Sequence, residues 1–382
     1  MRVYINDIAS FLPNDPIDND QMEAILGLVN QVPSRTRRII LRNNKIATRH
    51  YAINPATGLT THSNAQLTAE AVRRLDPYQG FTLADIECLA CGTSTPDQIM
   101  PGHALMVHGE IGAGPCEAMS AAGICIAGMT AMKYAYMSVA LGQTRNAVAT
   151  GSELASTFLR ARLCPPISPE KAQALDKTPV LSFDADFLRW MLSDGAGAAF
   201  LAQEPRTDGI SLRIDWIDSL SFAHELETCM YAGATKNPDG SITGWREHSS
   251  LEACIQNEAF LIKQDVKLLN KEIIPTAVGR TLTLLIQKHA LNPNEIDWFL
   301  PHYSSDYFRQ SLHDHMRDIG FYIPMDRWFT NLASKGNTGA ASIYIILEEL
   351  FHSGKLRRNE KLLCFIPESG RFSMCYMLLT VV

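Results

Sequence analysis

The sequence lacks the features of several classes of protein. It has no uninterrupted apolar stretch long enough to span a bilayer, and residues 1–7 enter a strand-like run without a signal-peptide pattern. The net charge of −6 argues against general nucleic-acid binding. The nine cysteines are odd in number and scattered, which is typical of reduced thiols rather than of a disulfide framework. We therefore expect a cytoplasmic protein with no membrane span and no nucleic-acid partner.

Motifs for cofactors and metals are also missing. No Walker loop or Gly-x-Gly-x-x-Gly follows a predicted strand, so no nucleotide cofactor is expected. Cys88 and Cys91 form one Cys-x-x-Cys, with no second pair to complete a zinc site. We predict neither a cofactor nor a metal. With 46% hydrophobic and 19% charged residues, the composition is that of a folded globular enzyme.

Cys125 is the first candidate for chemistry. It lies in the run Ala-Ala-Gly-Ile-Cys-Ile-Ala-Gly-Met-Thr, and the apolar stretch at residues 129–141 predicts a buried helix directly after it. A thiol at the head of a helix faces the positive end of the helix dipole, beside free backbone N–H groups. We expect this environment to favour the thiolate, which is the nucleophilic form. The alternative is a small structural cysteine in the core.

The order of predicted elements repeats along the chain. Cys125 comes 33 residues after Gly92, which ends a predicted strand, and Asn337 comes 35 residues after His302, which follows another. Both Cys125 and Asn337 precede an apolar helix and then a second strand. The predicted helices are 64–75, 129–141, 278–289 and 340–351, and the predicted strands are 85–92, 146–151, 295–301 and 361–366.

This repeat predicts two α/β halves. Alternating strands and helices indicate α/β layers, and strands that are apolar nearly throughout indicate cover by helices on both faces. We place the halves at residues 1–205 and 206–382, with Cys125 and Asn337 meeting at one site. Residues 156–187 fall outside the repeat and predict a covering flap or part of a substrate tunnel. Residues 237–240 predict a turn between short strands.

Six motifs in a fixed order resemble a known family. They are Ser94-Thr95-Pro96-Asp97-Gln98, Cys125 with Ala127-Gly128, Gly151-Ser152-Glu153, Ser193-Asp194-Gly195-Ala196-Gly197-Ala198, Pro301-His302 and Gly336-Asn337-Thr338. In this order they resemble the thiolase superfamily and, within it, the ketoacyl synthase III-like condensing enzymes. The resemblance spans nearly the whole chain. It implies an α/β thiolase fold, with two pseudo-symmetric halves in a five-layered α-β-α-β-α arrangement.

The resemblance also assigns roles to residues. The catalytic Cys, His and Asn of the family fall on Cys125, His302 and Asn337. Cys125 would accept an acyl group from a thioester, and His302 and Asn337 would donate hydrogen bonds to the enolate in the second step. The backbone N–H groups of Cys125 and Gly370 resemble the oxyanion hole for the loaded acyl group. Glu153 is more typical of a structural brace than of a catalytic group, and Glu117 is a possible base.

Partners follow from charge and from the same resemblance. Arg35, Arg37 and Arg38 belong to a basic cluster that can hold the phosphate of a phosphopantetheine arm or an acidic acyl carrier protein. A solvated helix face is the alternative. The expected substrates are acyl thioesters of carrier protein or coenzyme A. The resemblance further implies a homodimer, paired through the strand at residues 146–151.

The expected function is a ketosynthase reaction. A Claisen-type condensation would join two acyl thioesters through an acyl-Cys125 intermediate. Segments such as Arg37-Arg38-Ile39 and Arg49-His50-Tyr51 resemble ketosynthases that form dialkylresorcinol (cyclohexanedione) precursors, which points to that or related fatty-acid or polyketide biosynthesis. One alternative is an acyltransferase that passes the acyl group to an oxygen or nitrogen nucleophile. Another is a non-catalytic subunit of a heteromeric synthase, against which the presence of Cys125, His302 and Asn337 argues.

Overall fold

The computed structural model describes residues 1–164 and 186–382. The strands are β1 Tyr4–Phe11, β2 Ile17–Asp18, β3 Thr48–Arg49, β4 Cys88–Thr93, β5 Glu117–Ala122, β6 Asn146–Glu153, β7 Gly195–Ala202, β8 Leu212–Ser221, β9 Met230–Tyr231, β10 Ala234–Lys236, β11 Ile242–Gly244, β12 Lys263–Gln264, β13 Trp298–Pro301, β14 Lys361–Glu368 and β15 Ser373–Val381. The helices are α1 Met22–Leu26, α2 Arg37–Asn44, α3 Asn64–Arg73, α4 His103–Ile111, α5 Ala127–Ala140, α6 Leu251–Gln256, α7 Val266–Ile274, α8 Thr283–His289, α9 Arg309–Asp318, α10 Leu332–Lys335 and α11 Ser342–Phe351. Residues 165–185 of the predicted flap lie outside the described residues.

Nine strands of the described chain form one mixed sheet, in the order β13-β14-β15-β8-β1-β7-β6-β4-β5. In the first half, β4 and β6 are parallel, whereas β6–β7 and β7–β1 are antiparallel. The second half repeats these pairings, with β13–β14 parallel and β14–β15 and β15–β8 antiparallel. The two sets are joined by two residue pairs, Tyr4–Arg213 and Ile5–Leu212. The predicted pseudo-symmetry of the strands is therefore confirmed, while the boundary at residue 205 stays a prediction.

Three hydrophobic clusters separate the layers. The central cluster contains α5 and α11 and is lined by strands of both sets. One outer cluster lies under α3 and α4, and the other lies under α7, α8 and α9. Alternate residues of β14 serve different clusters, because Leu362 and Cys364 face the central one and Leu363 and Phe365 face the outer one. The layers run helix, strand, helix, strand, helix, which confirms the five-layered arrangement.

The two central helices approach each other closely at their beginnings. A side chain on Gly128 would lie 2.3 Å from the backbone oxygen of Ala340, and one on Gly151 would lie 2.2 Å from the same atom. The Tyr344 hydroxyl donates to the Gly128 carbonyl at 2.8 Å. Glycine is required at both positions because no Cβ fits there. These contacts hold the first turn of α5 and the end of β6 against the turn that precedes α11.

Several element boundaries differ from the sequence-based expectation. α5 begins at Ala127, two residues earlier than predicted, so Cys125 lies just outside the helix. The helix predicted at 278–289 is the end of a longer helical segment, in which the π-helical turn Pro275–Leu282 joins α7 to α8. Pro275 has no backbone N–H, and the regular pattern changes where it stands. The turn predicted at 237–240 is confirmed between β10 and β11.

The strand expected to pair two subunits lies inside the sheet. β6 is bonded to β4 on one side and to β7 on the other, so it has no free edge for a second copy. Pairing through residues 146–151 was therefore a wrong prediction. The end of the sheet in this half is β5, most of whose residues are exposed or half-buried. In the described part of the chain, no helix has both the length and the apolar character needed to cross a membrane.

Candidate active site

The structure brings Cys125, His302 and Asn337 to one cavity. Each lies at the end of an element of the repeat. Cys125 precedes α5, His302 follows β13, and Asn337 precedes the short turn Gly339–Ala341 that leads into α11. The cavity is open to solvent, and its empty volume together with the open part is about 840 Å³.

Cys125 is buried, with 8% of its surface exposed. Burial raises the pKa of the Cys125 thiol, and the nearby carboxylates of Glu153 and Glu368 raise it further. This direction is opposite to the resting thiolate that the sequence predicted, and its main cause is the loss of solvent around the thiol. The thiol must give up its proton to a base when it attacks a substrate.

His302 is a candidate hydrogen-bond donor. Its backbone N–H donates to the Phe365 carbonyl at 2.8 Å, which continues the pairing of β13 with β14. Burial lowers the pKa of the His302 imidazole to about 4, so the ring is neutral at pH 7. Its Nε2 atom is buried and has no hydrogen-bond partner among the described residues. Buried polar atoms normally have a hydrogen-bond partner, so we infer that the partner of this atom is a group of the substrate.

Asn337 is fixed at both its backbone and its side chain. Its N–H donates to the Met191 carbonyl at 3.0 Å, and its carbonyl accepts from the Ser193 N–H at 2.8 Å. The side-chain oxygen accepts from the Gly339 N–H at 3.0 Å. These bonds orient the amide, whose nitrogen has no hydrogen-bond partner among the described residues and is free to donate into the cavity.

Glu153 ends β6 and also lines the cavity. Its carboxylate accepts from the Ser94 N–H at 3.1 Å, from the Ser94 hydroxyl at 2.5 Å and from the Thr95 hydroxyl at 2.9 Å. Burial raises the pKa of Glu153 to about 7, although these hydrogen bonds oppose the rise. The sequence predicted that this residue ends a strand beside the site, and the structure places it there.

Away from these groups the cavity wall is apolar. The apolar wall residues from α7, from the chain before it and from the region of α9 are Ile262, Leu269, Ile273, Ile274, Phe308 and Leu312. Such a surface suits an acyl chain, because apolar burial is its main source of binding energy. Sequence reasoning missed this wall. The local signals were two four-residue spacings, Leu269 to Ile273 and Phe308 to Leu312.

Other predicted residues lie outside the cavity wall. The Gly370 N–H donates to the Glu368 carboxylate, so it is engaged, although its neighbour Ser369 lines the cavity. Its role in an oxyanion hole, together with the Cys125 N–H, stays a prediction. Glu117 lies on β5, where its carboxylate accepts from the Tyr134 hydroxyl, and it is not part of the wall.

The basic cluster is likewise separate from the cavity wall. Arg37 is half-buried, and its guanidinium pairs with Glu23 at 2.8 Å and with Asp20 at 3.3 Å. Arg35 and Arg38 are exposed. None of the three lines the described cavity. Their part in binding a carrier or a phosphate stays a prediction, and Arg37 has a local structural role.

Comparison with known proteins agrees with this geometry. Residues 286–370 match the family model for the C-terminal part of 3-oxoacyl-[acyl-carrier-protein] synthase III. Among solved structures, AbyA1, a tetronic acid condensing enzyme, is 20% identical over 99% of both chains with a TM-score of 0.75. OleA of Xanthomonas campestris is 17% identical over 100% of this chain and 98% of its own, with a TM-score of 0.75. The 3-oxoacyl-(acyl carrier protein) synthase III of Pseudomonas aeruginosa is 17% identical over 100% and 98%, with a TM-score of 0.69.

These likenesses establish the architecture. The fold is the α/β thiolase fold over the full length of the chain.

Proposed function

We propose that this enzyme is a ketosynthase that joins two acyl thioesters by Claisen-type condensation through an acyl-Cys125 intermediate. The observation that carries the proposal is the buried, unpartnered Nε2 of His302 in the same cavity as the free amide nitrogen of Asn337. Two such donors suit an enolate oxygen. A simple acyl transfer needs no enolate and therefore no such pair.

The first half-reaction loads Cys125. The thiol sulfur attacks the carbonyl carbon of a thioester and gives up its proton. The sulfur of the carrier then leaves and takes a proton, so that one thioester replaces another. The acyl chain lies along the apolar wall, which supports an acyl thioester as substrate.

The second half-reaction forms the carbon–carbon bond. The enolate forms when the second thioester loses its α-proton or CO2, and it attacks the carbonyl carbon of acyl-Cys125. The Cys125 sulfur leaves as a thiolate and is protonated by the group that took the α-proton or, after loss of CO2, by water. N–H groups of His302 and Asn337 stabilise the negative oxygen of the enolate. Because the Asn337 amide is oriented before the substrate arrives, little reorganisation accompanies the reaction.

The finer assignment rests on the sequence resemblance. It favours a role in forming dialkylresorcinol precursors, or in related fatty-acid or polyketide biosynthesis, with carrier protein or coenzyme A as the donor. OleA of Xanthomonas campestris has been crystallised with lauric acid and lauroyl-CoA, and its likeness in fold supports a thioester of an aliphatic chain here. We further propose a homodimer, in which the second copy meets the β5 edge of the sheet, since open edges are commonly paired or covered.

The test is to supply pairs of acyl thioesters of different chain length and to identify the products by mass spectrometry. We expect a product that contains the carbon atoms of both acyl groups. If the acyl group were instead found only on an oxygen or nitrogen acceptor, the acyltransferase alternative would replace condensation. If wild-type enzyme took up no acyl group, the non-catalytic subunit would be the better description.

A further inference from the structure

Glu153 connects three segments of the site. It ends β6, it accepts hydrogen bonds from Ser94 and Thr95 after β4, and it packs against the turn that follows Asn337. The side chain is almost fully buried, with 4% of its surface exposed. In the described residues no cation forms an ion pair with it. Such a carboxylate is costly to bury, which argues for a task beyond filling space.

The contact with the Asn337 turn is close. Gly339 adopts a φ of +54°, and a Cβ on it would lie 2.5 Å from Cγ of Glu153. The Ala340 N–H points at the Glu153 carboxylate with a long separation of 3.4 Å. The Gly339 N–H in turn donates to the side-chain oxygen of Asn337 at 3.0 Å. The position of Gly339 therefore depends on Glu153 on one side and determines the amide of Asn337 on the other.

We propose that Glu153 is a positioning residue for Asn337: its side chain holds Gly339 and Ala340 in place, and the Gly339 N–H then orients the amide toward the enolate. This inference rests on the proposed condensation. Glu153 thus serves the second half-reaction more than the first. Ser94 and Thr95 fix the other side of the carboxylate, so the β4 end, the β6 end and the Asn337 turn keep one geometry.

Three substitutions separate this role from others. Glu153→Gln keeps the length and one acceptor oxygen, but removes the charge. Glu153→Asp keeps the charge, but withdraws the carboxylate by one methylene from a contact that is already long at 3.4 Å. Glu153→Ala removes the side chain. Asp7→Asn is the matched control, because Asp7 is also a buried carboxylate that accepts a backbone N–H, from Asp76, and lies outside the cavity.

The two half-reactions are measured separately, by intact mass for loading and by product formation from preloaded enzyme for condensation. We expect all variants to load normally. Glu153→Gln should condense within about threefold of wild type, whereas Glu153→Asp and Glu153→Ala should be about 10- to 100-fold slower, as misplacement by about 1 Å can cost about 10² in rate. Asp7→Asn should condense normally.

Hydrogen exchange at residues 337–341 provides a readout that does not depend on activity. We expect faster exchange of the Gly339 and Ala340 amides in Glu153→Ala and exchange like that of wild type in Glu153→Gln. Unchanged exchange in Glu153→Ala, or condensation at the wild-type rate, would overturn the positioning role. So would equal losses in the Gln and Ala variants, or a loss of loading. If wild type itself failed to condense, the proposed function would fail while the exchange result still decided the role of Glu153.

Discussion

Replacing His302 with leucine should slow condensation strongly. It should also make the free energy of unfolding less sensitive to acid. The ring is buried, its Nε2 is unpartnered, and burial lowers its pKa from the ordinary 6.5 to about 4. In the unfolded chain His302 takes up a proton as the pH falls through 6.5, but in the folded protein it does so only near 4. The free energy of unfolding therefore decreases as the pH falls from 6.5 to about 4. Above pH 6.5 His302 is neutral in both states and causes no loss of stability.

The size of the effect follows from the shift. A difference of about 2.5 pKa units corresponds to about 3 kcal/mol when the pH has fallen below both values. Between pH 7.5 and pH 5, about 1.5 units of the window are crossed, which corresponds to about 2 kcal/mol. His302→Leu should lose about 2 kcal/mol less stability than wild type over this range. Its condensation rate should fall by about 10²–10³-fold, the usual cost of one oxyanion donor, while an acyl group can still be loaded.

The assay combines urea unfolding at the two pH values with separate measurements of loading and condensation. The matched control is His103→Leu. His103 is also buried with a pKa lowered to about 4, but it lies between Thr68 and Ser152, outside the cavity. We expect it to reproduce the change in pH dependence and to keep condensation. The reasoning is refuted if His302→Leu shows the same pH dependence of stability as wild type, or if it condenses at the wild-type rate from preloaded enzyme.

Three further predictions concern the second donor, the basic cluster and the assembly. Asn337→Ala should load acyl groups but condense about 10²–10³-fold more slowly, and normal product formation from preloaded enzyme would contradict this. Arg42 lies in α2, four residues after Arg38, and both are exposed. Charge reversal at Arg38 and Arg42 should slow loading from carrier protein more than from a small thioester mimic. The difference should shrink with added salt because screening acts over about 8 Å at physiological ionic strength. Equal losses with both donors would mean that these arginines support the fold. Sedimentation at micromolar concentration should show a dimer. If β5 forms the interface, a charged substitution at the β5 residue Ser120 should convert the dimer to a monomer. A stable wild-type monomer would exclude the proposed dimer.

The repeat made much of the architecture predictable. Apolar strands covered on both faces and small residues before two apolar helices are local signals, and they located α5, α11 and the strands around them. The same signals placed Cys125, His302 and Asn337 at the ends of elements. The need for glycine at the close approach of the two central helices was not predicted, because it depends on contacts between distant segments.

Features set by non-local contacts were not predictable. The order of strands depends on pairing between distant segments, so β6 was expected at an edge although it lies inside the sheet. The state of Cys125 depends on how deeply the thiol is buried and on Glu153 and Glu368, which no local pattern reveals. The apolar wall comes from α7 and the region of α9, neither of which carries a motif. The link from Glu153 to Asn337 is visible only when three segments are packed together.

The most direct test of the acyl-Cys125 intermediate is the intact mass of the protein after incubation with an acyl thioester, for wild type and for Cys125→Ala. Cys116→Ala is the control, because Cys116 is only half-buried and is a second thiol open to non-specific acylation. Wild type and Cys116→Ala should each gain the mass of one acyl group, and Cys125→Ala should gain none. An acyl adduct on Cys125→Ala that matches wild type in amount and rate would contradict the assignment of Cys125 as the nucleophile.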